Sequence, residues 1–284
     1  MSNTKRLEEN KEVTHSSNQA QQNYVNEQTD KISPEAVDAV NLIVEVLDHL
    51  QKKGKEEALQ VVEKALGKLE ILVSKDPKLA AVPVDVQEQV IDFPGTVEDA
   101  VIARELAKDY LNEEEIQKAR RVLHPLASEL AIYITALPIA TYPEALKAVV
   151  PLIENEKFDE AILLIQEVLK LLLVEKITIP LPILRAEYTI KRAVELAKEE
   201  NADREELKSL LAYAKEQLLL AQVLGYGKVN EDYKELLDEI DHIENILGDD
   251  KQETQGIFDS LLEKLSSFMK SFNLPEAPLN TEKK

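Results

Sequence analysis

The stretch "EKITIPLPILRAEY", residues 175–188, decides how this chain is read, because it interrupts a succession of helical patterns. Ile177, Ile179, Leu181 and Ile183 alternate with other residues, which is the period of a strand. Pro180 and Pro182 lie among them, and proline neither donates to a ladder nor continues a helix. An earlier segment, "AAVPVDVQEQVIDFPGT" at 80–96, behaves alike: Val82, Val84 and Val86 alternate around Pro83. Each of these extended segments follows a pair of helical stripes, so the repeating unit reads as a helical hairpin with an extended exit.

The first hairpin opens at Ser33, an N-cap, with Pro34 at the first helical position and Glu35 facing the positive helix end. Its pattern pauses at "KKGKEEAL" (52–59), and a second copy pauses at "NEKFDEAI" (155–162). Glu57, Ala58, Leu59, Val62, Leu66 and Leu69 recur 103 residues later as Glu160, Ala161, Ile162, Ile165, Leu169 and Leu172. A looser third version surrounds "YLNEEEIQKARRVL" (110–123), with Asn112 expected to cap and Glu115 to close the box. Thr96 with Asp99, Thr141 with Glu144 and Asp203 with Glu206 are further capping pairs. Gly225 ends a helix, and "TALPIA" (135–140) is read as the break of a preceding helix.

Composition agrees with a helical protein. Of 284 residues 44% are hydrophobic, only 7 are Gly, and 54 acidic against 34 basic side chains leave a net charge of −20. That charge repels phosphate backbones and anionic bilayers, which argues against nucleic-acid and membrane-surface partners. The absence of Cys excludes disulfides and thiolate chemistry. The first 32 residues are polar and carry no secretory apolar core, so the expected location is the cytoplasm. No apolar run reaches the length of a membrane span.

No catalytic signature stands out. The four histidines form no HExxH pattern, and Asp238 with His242 at i, i+4 reads as a solvated helix face rather than a metal site. Ser128 and Ser209 fall in helical contexts without a nucleophile elbow, and "GYGK" lacks phosphate-loop spacing. The expectation is a protein with no enzyme activity, catalytic residue, metal or cofactor.

Polar and aromatic groups beside helix breaks are the candidates for small-molecule contact. Tyr133, Thr135 and Tyr142 flank "ALPIA", while Arg185 and Tyr188 follow the double-proline stretch. The competing reading, in which tyrosine hydroxyls satisfy stray backbone groups, covers these and Tyr226. A last stripe, including Ile257, Phe258, Leu261, Leu265, Phe268 and Phe272, has too much apolar surface to leave in water. It docks on the chain's own body or on a second copy, and self-association is the expected use.

The order of these features resembles the YfdX family: a hairpin, a Val/Pro exit, "YITALPIATYPEALKAVVPLIENEKFDEAILLIQEVL" (133–169), the double-proline segment, and a helix ending in "LGY". The likeness spans roughly 35–245. It implies a bacterial, mainly helical, stress-associated protein with no agreed catalytic residues. Its relatives are often exported, a trait this chain departs from in lacking a signal. The expected architecture is mainly α: antiparallel hairpins packed as one domain, with the two Pro-bearing segments paired as a small β element or running as parallel braces. Residues 1–32 are expected as a disordered tail, 33–247 as the helical domain, 248–256 as a linker, 257–272 as an amphipathic helix and 273–284 as a disordered tail. The expected mode of action is binding, as a homo-oligomer, of a client protein or a small organic ligand.

Overall fold

The computed structural model describes residues 17–75, 80–199, 202–227, 230–247 and 257–271. Helices dominate: α1 (17–29), α2 (Pro34–Gln51), α3 (Lys55–Lys75), α4 (Val97–Asn112), α5 (Ile116–Leu123), α6 (Tyr142–Lys147), α7 (Val150–Glu154), α8 (Phe158–Leu169), α9 (Leu181–Ala197), α10 (Arg204–Val223), α11 (Asn230–Leu247) and α12 (Ile257–Ser271). Three strands, β1 (Val82–Ile91), β2 (Glu129–Leu137) and β3 (Leu173–Pro180), form one antiparallel sheet in the order β1-β2-β3. The chain divides into two compact units. Unit 1 comprises Met1–Tyr24, Gln89–Ala131 and Thr178–Lys284; unit 2 comprises Val25–Glu88 and Ile132–Ile177. The expected span 33–247 therefore holds parts of both.

The hairpin repeat is reproduced atom by atom at its turns. Lys53, Glu114 and Glu156 all adopt left-handed backbone, with φ of 57°, 60° and 57°. After each, the next N–H reaches back five residues: Gly54 to His49 O at 2.9 Å, Glu115 to Tyr110 O at 2.7 Å, Lys157 to Leu152 O at 2.9 Å. The same three residues then accept from Ala58, Ala119 and Ala161. Those alanines are buried in every copy, where a larger side chain would hold the helices apart. The third copy departs from the capping expected of it. Asn112 is the last residue of α4, and Glu115 is the N-cap of α5 without a side-chain bond, its carboxylate being held by Lys118.

Every hairpin exits into a strand: α2–α3 into β1, α4–α5 into β2, and α7–α8 into β3. The expected pairing of the two Pro-bearing segments is corrected here, because β2 lies between them. Residues 129–137, where the sequence reading places the end of a helix and the start of its break at 135–140, form this middle strand. It is buried on both faces at Leu130, Ala131, Ile132 and Ile134, and so shows a continuous apolar run rather than alternation. Prolines belong to the edges: Pro83 O in β1 accepts from the Ser33 N–H, at 3.0 Å. The double-proline stretch also changes meaning. Pro180 ends β3, whereas Leu181, Pro182 and Ile183 already form the first turn of α9, where proline's missing N–H costs nothing.

In unit 2, α2 and α3 pack as a hairpin, with α8 against α2 and α6 and α7 against α3. Ile43, Val46, Val62, Leu69, Ile153 and Ile165 form its core, and Lys55 Nζ donates to Glu154 O at 2.8 Å to join the two hairpin turns. Ser33 caps α2 as expected, accepting from the Ala36 N–H at 3.3 Å. The pairing of Thr141 with Glu144 does not form: Thr141 has helical backbone and makes no cap bond, and Glu144 pairs with Lys147.

In unit 1, α9 is buried nearly all round and pairs with α10; α11 and α12 close the core. Thr96 and Asp99 form the expected box at α4, and Asp203 caps α10. A Cβ at Gly95 would lie 2.7 Å from the Phe93 ring, so a larger residue there would push that ring aside. Gly225, at φ 85°, ends α10 as expected. Residues 17–29 correct the expected tail: they form α1, with Ser17, Ala20, Tyr24 and Gln28 buried at helical spacing. Residues 1–16, 248–256 and 272–284, with the expected linker, C-terminal tail and Phe272, lie outside the described residues.

Candidate functional site

The residues singled out for ligand contact are divided between the units. Tyr133, Thr135 and Tyr142 belong to unit 2, Arg185 and Tyr188 to unit 1. Tyr142 is wholly buried, and its hydroxyl has no hydrogen-bond partner among the described residues. Burial pushes that phenol up to about 12. Tyr133 lies under Lys176 Nζ, 5.9 Å from the ring centroid, and Tyr188 under Lys191 Nζ at 5.6 Å.

Arg185 leads to the main polar cluster of unit 1. The chain leaving β1 places Asp92 where Arg185 Nη1 and Nη2 donate to its two oxygens, at 3.1 and 2.5 Å. Ser128 Oγ donates to Asp92 Oδ1 at 2.7 Å, and the Ser128 N–H donates to the Tyr226 hydroxyl at 2.8 Å. That hydroxyl donates onward to Glu129 Oε2 at 3.2 Å, and Tyr233 Oη donates to the Tyr226 carbonyl at 2.6 Å. Burial would raise the Asp92 carboxyl, but the Arg185 guanidinium and the Ser128 hydroxyl outweigh it and hold the group below its usual range. Burial is the main cause raising the Tyr226 phenol, to about 12. With the Ser128 proton committed to a carboxylate that is itself held by arginine, the cluster ties chain segments together. Tyr226 satisfies a backbone N–H, as the bland reading of these tyrosines expects.

The C-terminal stripe is accounted for within unit 1. Phe258, Leu261, Leu265 and Phe268 are buried, with α12 packed on α9 and α11, and Phe268 meets Tyr233 edge-on at 4.9 Å. Lys264 pairs with Glu239 alongside. The surplus that suggested a second copy is thus covered by this chain's own helices. The Ile257 side chain lies outside the described residues.

A different surface of unit 1 leaves apolar groups in water. Leu111 at the end of α4 and Ile116 and Leu123 on α5 are 51%, 62% and 43% exposed. They border a groove of about 410 Å³ floored by Ala119 and edged by Arg120 and His124. Ile116 and Leu123 are seven residues apart, hence on one helix face. That spacing is visible in "IQKARRVL", but only the fold reveals that nothing in the chain covers this face among the described residues.

Against known proteins, residues 39–178 match the model of the YfdX protein family. Residues 39–178 are a YfdX family domain. The YfdX match runs from within α2 to within β3, which is the span of the three hairpin–strand repeats; the expected reach to 245 is not matched, and α9–α12 lie beyond it. Among solved structures, Salmonella Typhi YfdX is 17% identical, with 54% of this chain and 95% of that chain covered and a TM-score of 0.37. No curated protein matches the chain. Among the described residues no group of three or more His, Asp or Glu could hold a metal, and no helix is long and apolar enough to cross a membrane.

Proposed function

We propose that this chain is a non-enzymatic, stress-associated bacterial protein that acts by binding, as an oligomer, through the α4–α5 hairpin. The stress association follows from the YfdX resemblance. The observation that carries the binding role is the row Leu111, Ile116 and Leu123, held in solvent around an apolar groove. The fully buried residues of the hairpin are small, Ala100, Ala107 and Ala119, whereas Ile102, Leu106, Leu111, Ile116 and Leu123 are exposed. Exposed apolar groups with charged neighbours such as Arg120 are the composition of a contact surface. Light scattering on the full chain tests it. The expected wild-type mass is a multiple of the 32.0 kDa chain, falling toward one chain in Ile116→Lys/Leu123→Lys. A monomeric wild type, or a variant of unchanged mass, overturns the oligomeric reading.

A further inference from the structure

We infer that unit 1 carries a second binding site, a groove between α4, α10 and α11 that takes a small amphiphilic carboxylate. The groove encloses about 690 Å³, within the ~300–1,000 Å³ of small-molecule sites. Helical spacing builds two of its walls. On α10, Lys215, Leu219 and Val223 stand at i, i+4 and i+8; on α11, Lys234, Leu237, Asp238 and Asp241 stand at i, i+3, i+4 and i+7. Neither set belongs to the buried core stripe of its helix, which on α10 runs through Leu207, Leu211, Ala214 and Leu218. The half-buried Leu219, Val223 and Leu237 supply an apolar bed.

The charges at the rim specify the ligand's head. In a chain of net charge −20, three helices each bring a cation here: Arg104, Lys215 and Lys234. Lys215 is occupied by Asp241 and, at 3.9 Å, by Glu244, and its Asp241 hydrogen bond raises its pKa, so it is a fixed part of the wall. Arg104 pairs with its exposed neighbour Glu105, at 3.3 Å, a type of pair that holds little in water. Lys234 has no ion pair among the described residues. Among the lining residues the cations Arg104, Lys215 and Lys234 stand against two carboxylates, Asp238 and Asp241, an excess of one positive charge. A single negative head balances that charge, whereas a dianionic phosphate overfills it. A carboxylate on an apolar body meets both the rim and the bed.

Isothermal titration of the full chain with decanoate, below its micelle concentration, tests the site. Saturable binding is expected, and at least about tenfold weaker binding in Arg104→Glu/Lys234→Glu, since two favourable contacts become repulsive. Both residues are exposed, so the variant is expected to fold, with an unchanged thermal midpoint. Acetate, which has the head alone, and decyltrimethylammonium, which has the body with the opposite charge, should each bind at least about tenfold more weakly than decanoate. No saturable binding of decanoate overturns the inference. So does equal affinity in the double variant, or equal affinity for acetate or for the cationic amphiphile.

Discussion

Arg185 grips Asp92 with both terminal nitrogens, at 3.1 and 2.5 Å, fixing the end of β1 against the second turn of α9. Asp92→Asn keeps the shape and removes the charge, leaving Arg185, whose side chain is 20% exposed, without its counter-ion. Because Asp92 is itself 44% exposed, water replaces part of what is lost. The expected loss is about 1–2 kcal/mol, the range of a charge-assisted bond discounted for solvent, read as a lower urea midpoint.

The same carboxylate makes stability depend on acid. Its folded pKa lies below the ordinary 3.8, so between the two values the unfolded chain binds more protons. Its contribution is fully present above the unfolded value and disappears as pH falls through the folded one. Urea titrations in that acid window should show wild type and Asp92→Asn converging as pH falls, and separated by a constant gap at neutral pH. A gap that stays constant into acid would remove Asp92 from the account.

Tyr142 offers a test with the opposite sign. Its hydroxyl is buried in unit 2 without a partner among the described residues, so the structure carries its desolvation cost uncompensated. Tyr142→Phe should leave the packing in place and raise stability by about 1 kcal/mol. A lower urea midpoint would mean that the hydroxyl has a partner in solution, and would return this residue to the list of ligand contacts.

The shared hairpin turn predicts a second stabilising change. Glu156 stands at φ 57°, exposed, in a conformation that costs an L-residue roughly 1–2 kcal/mol. Glu156→Gly should gain about 0.5–1 kcal/mol, glycine's greater unfolded freedom offsetting the rest. Glu167→Gly, inside α8, should instead lose about 1 kcal/mol, and the thermal midpoints of the pair check the assignment.

These turns mark what sequence could and could not reveal. The hairpins were legible because Ala58 and Ala161, and the stripes after them, recur at one spacing. The left-handed position was not, because Lys53, Glu114 and Glu156 are residues that local preference keeps out of it, and packing overrides that preference. Strand β2 was missed because burial on both faces erases alternation, leaving "ELAIYITAL" as apolar as a helix interior. α1 was missed because its buried residues are Ser17, Ala20, Tyr24, Val25 and Gln28, among which only the neighbouring Tyr24 and Val25 are apolar and larger than alanine, too few to mark a stripe. Of the candidate contacts, Arg185 was found through its place after a proline break. Asp92 and Ser128 carry no local signal, since only the fold brings positions 92, 128 and 185 together.

The junction where β3 becomes α9 sets a constraint of another kind. The strand ends at Pro180 and the helix begins at Leu181, with no residue between them, and the Leu181 N–H is held by Ser128 O at 2.9 Å. Strand register and helix phase are therefore a single variable. One residue added or removed here would turn α9 by about 100°. Arg185 would swing off Asp92, and an added residue would carry Ile190 to the exposed position now held by Lys191. The chain can change letters between 173 and 197, but its length there is fixed by geometry.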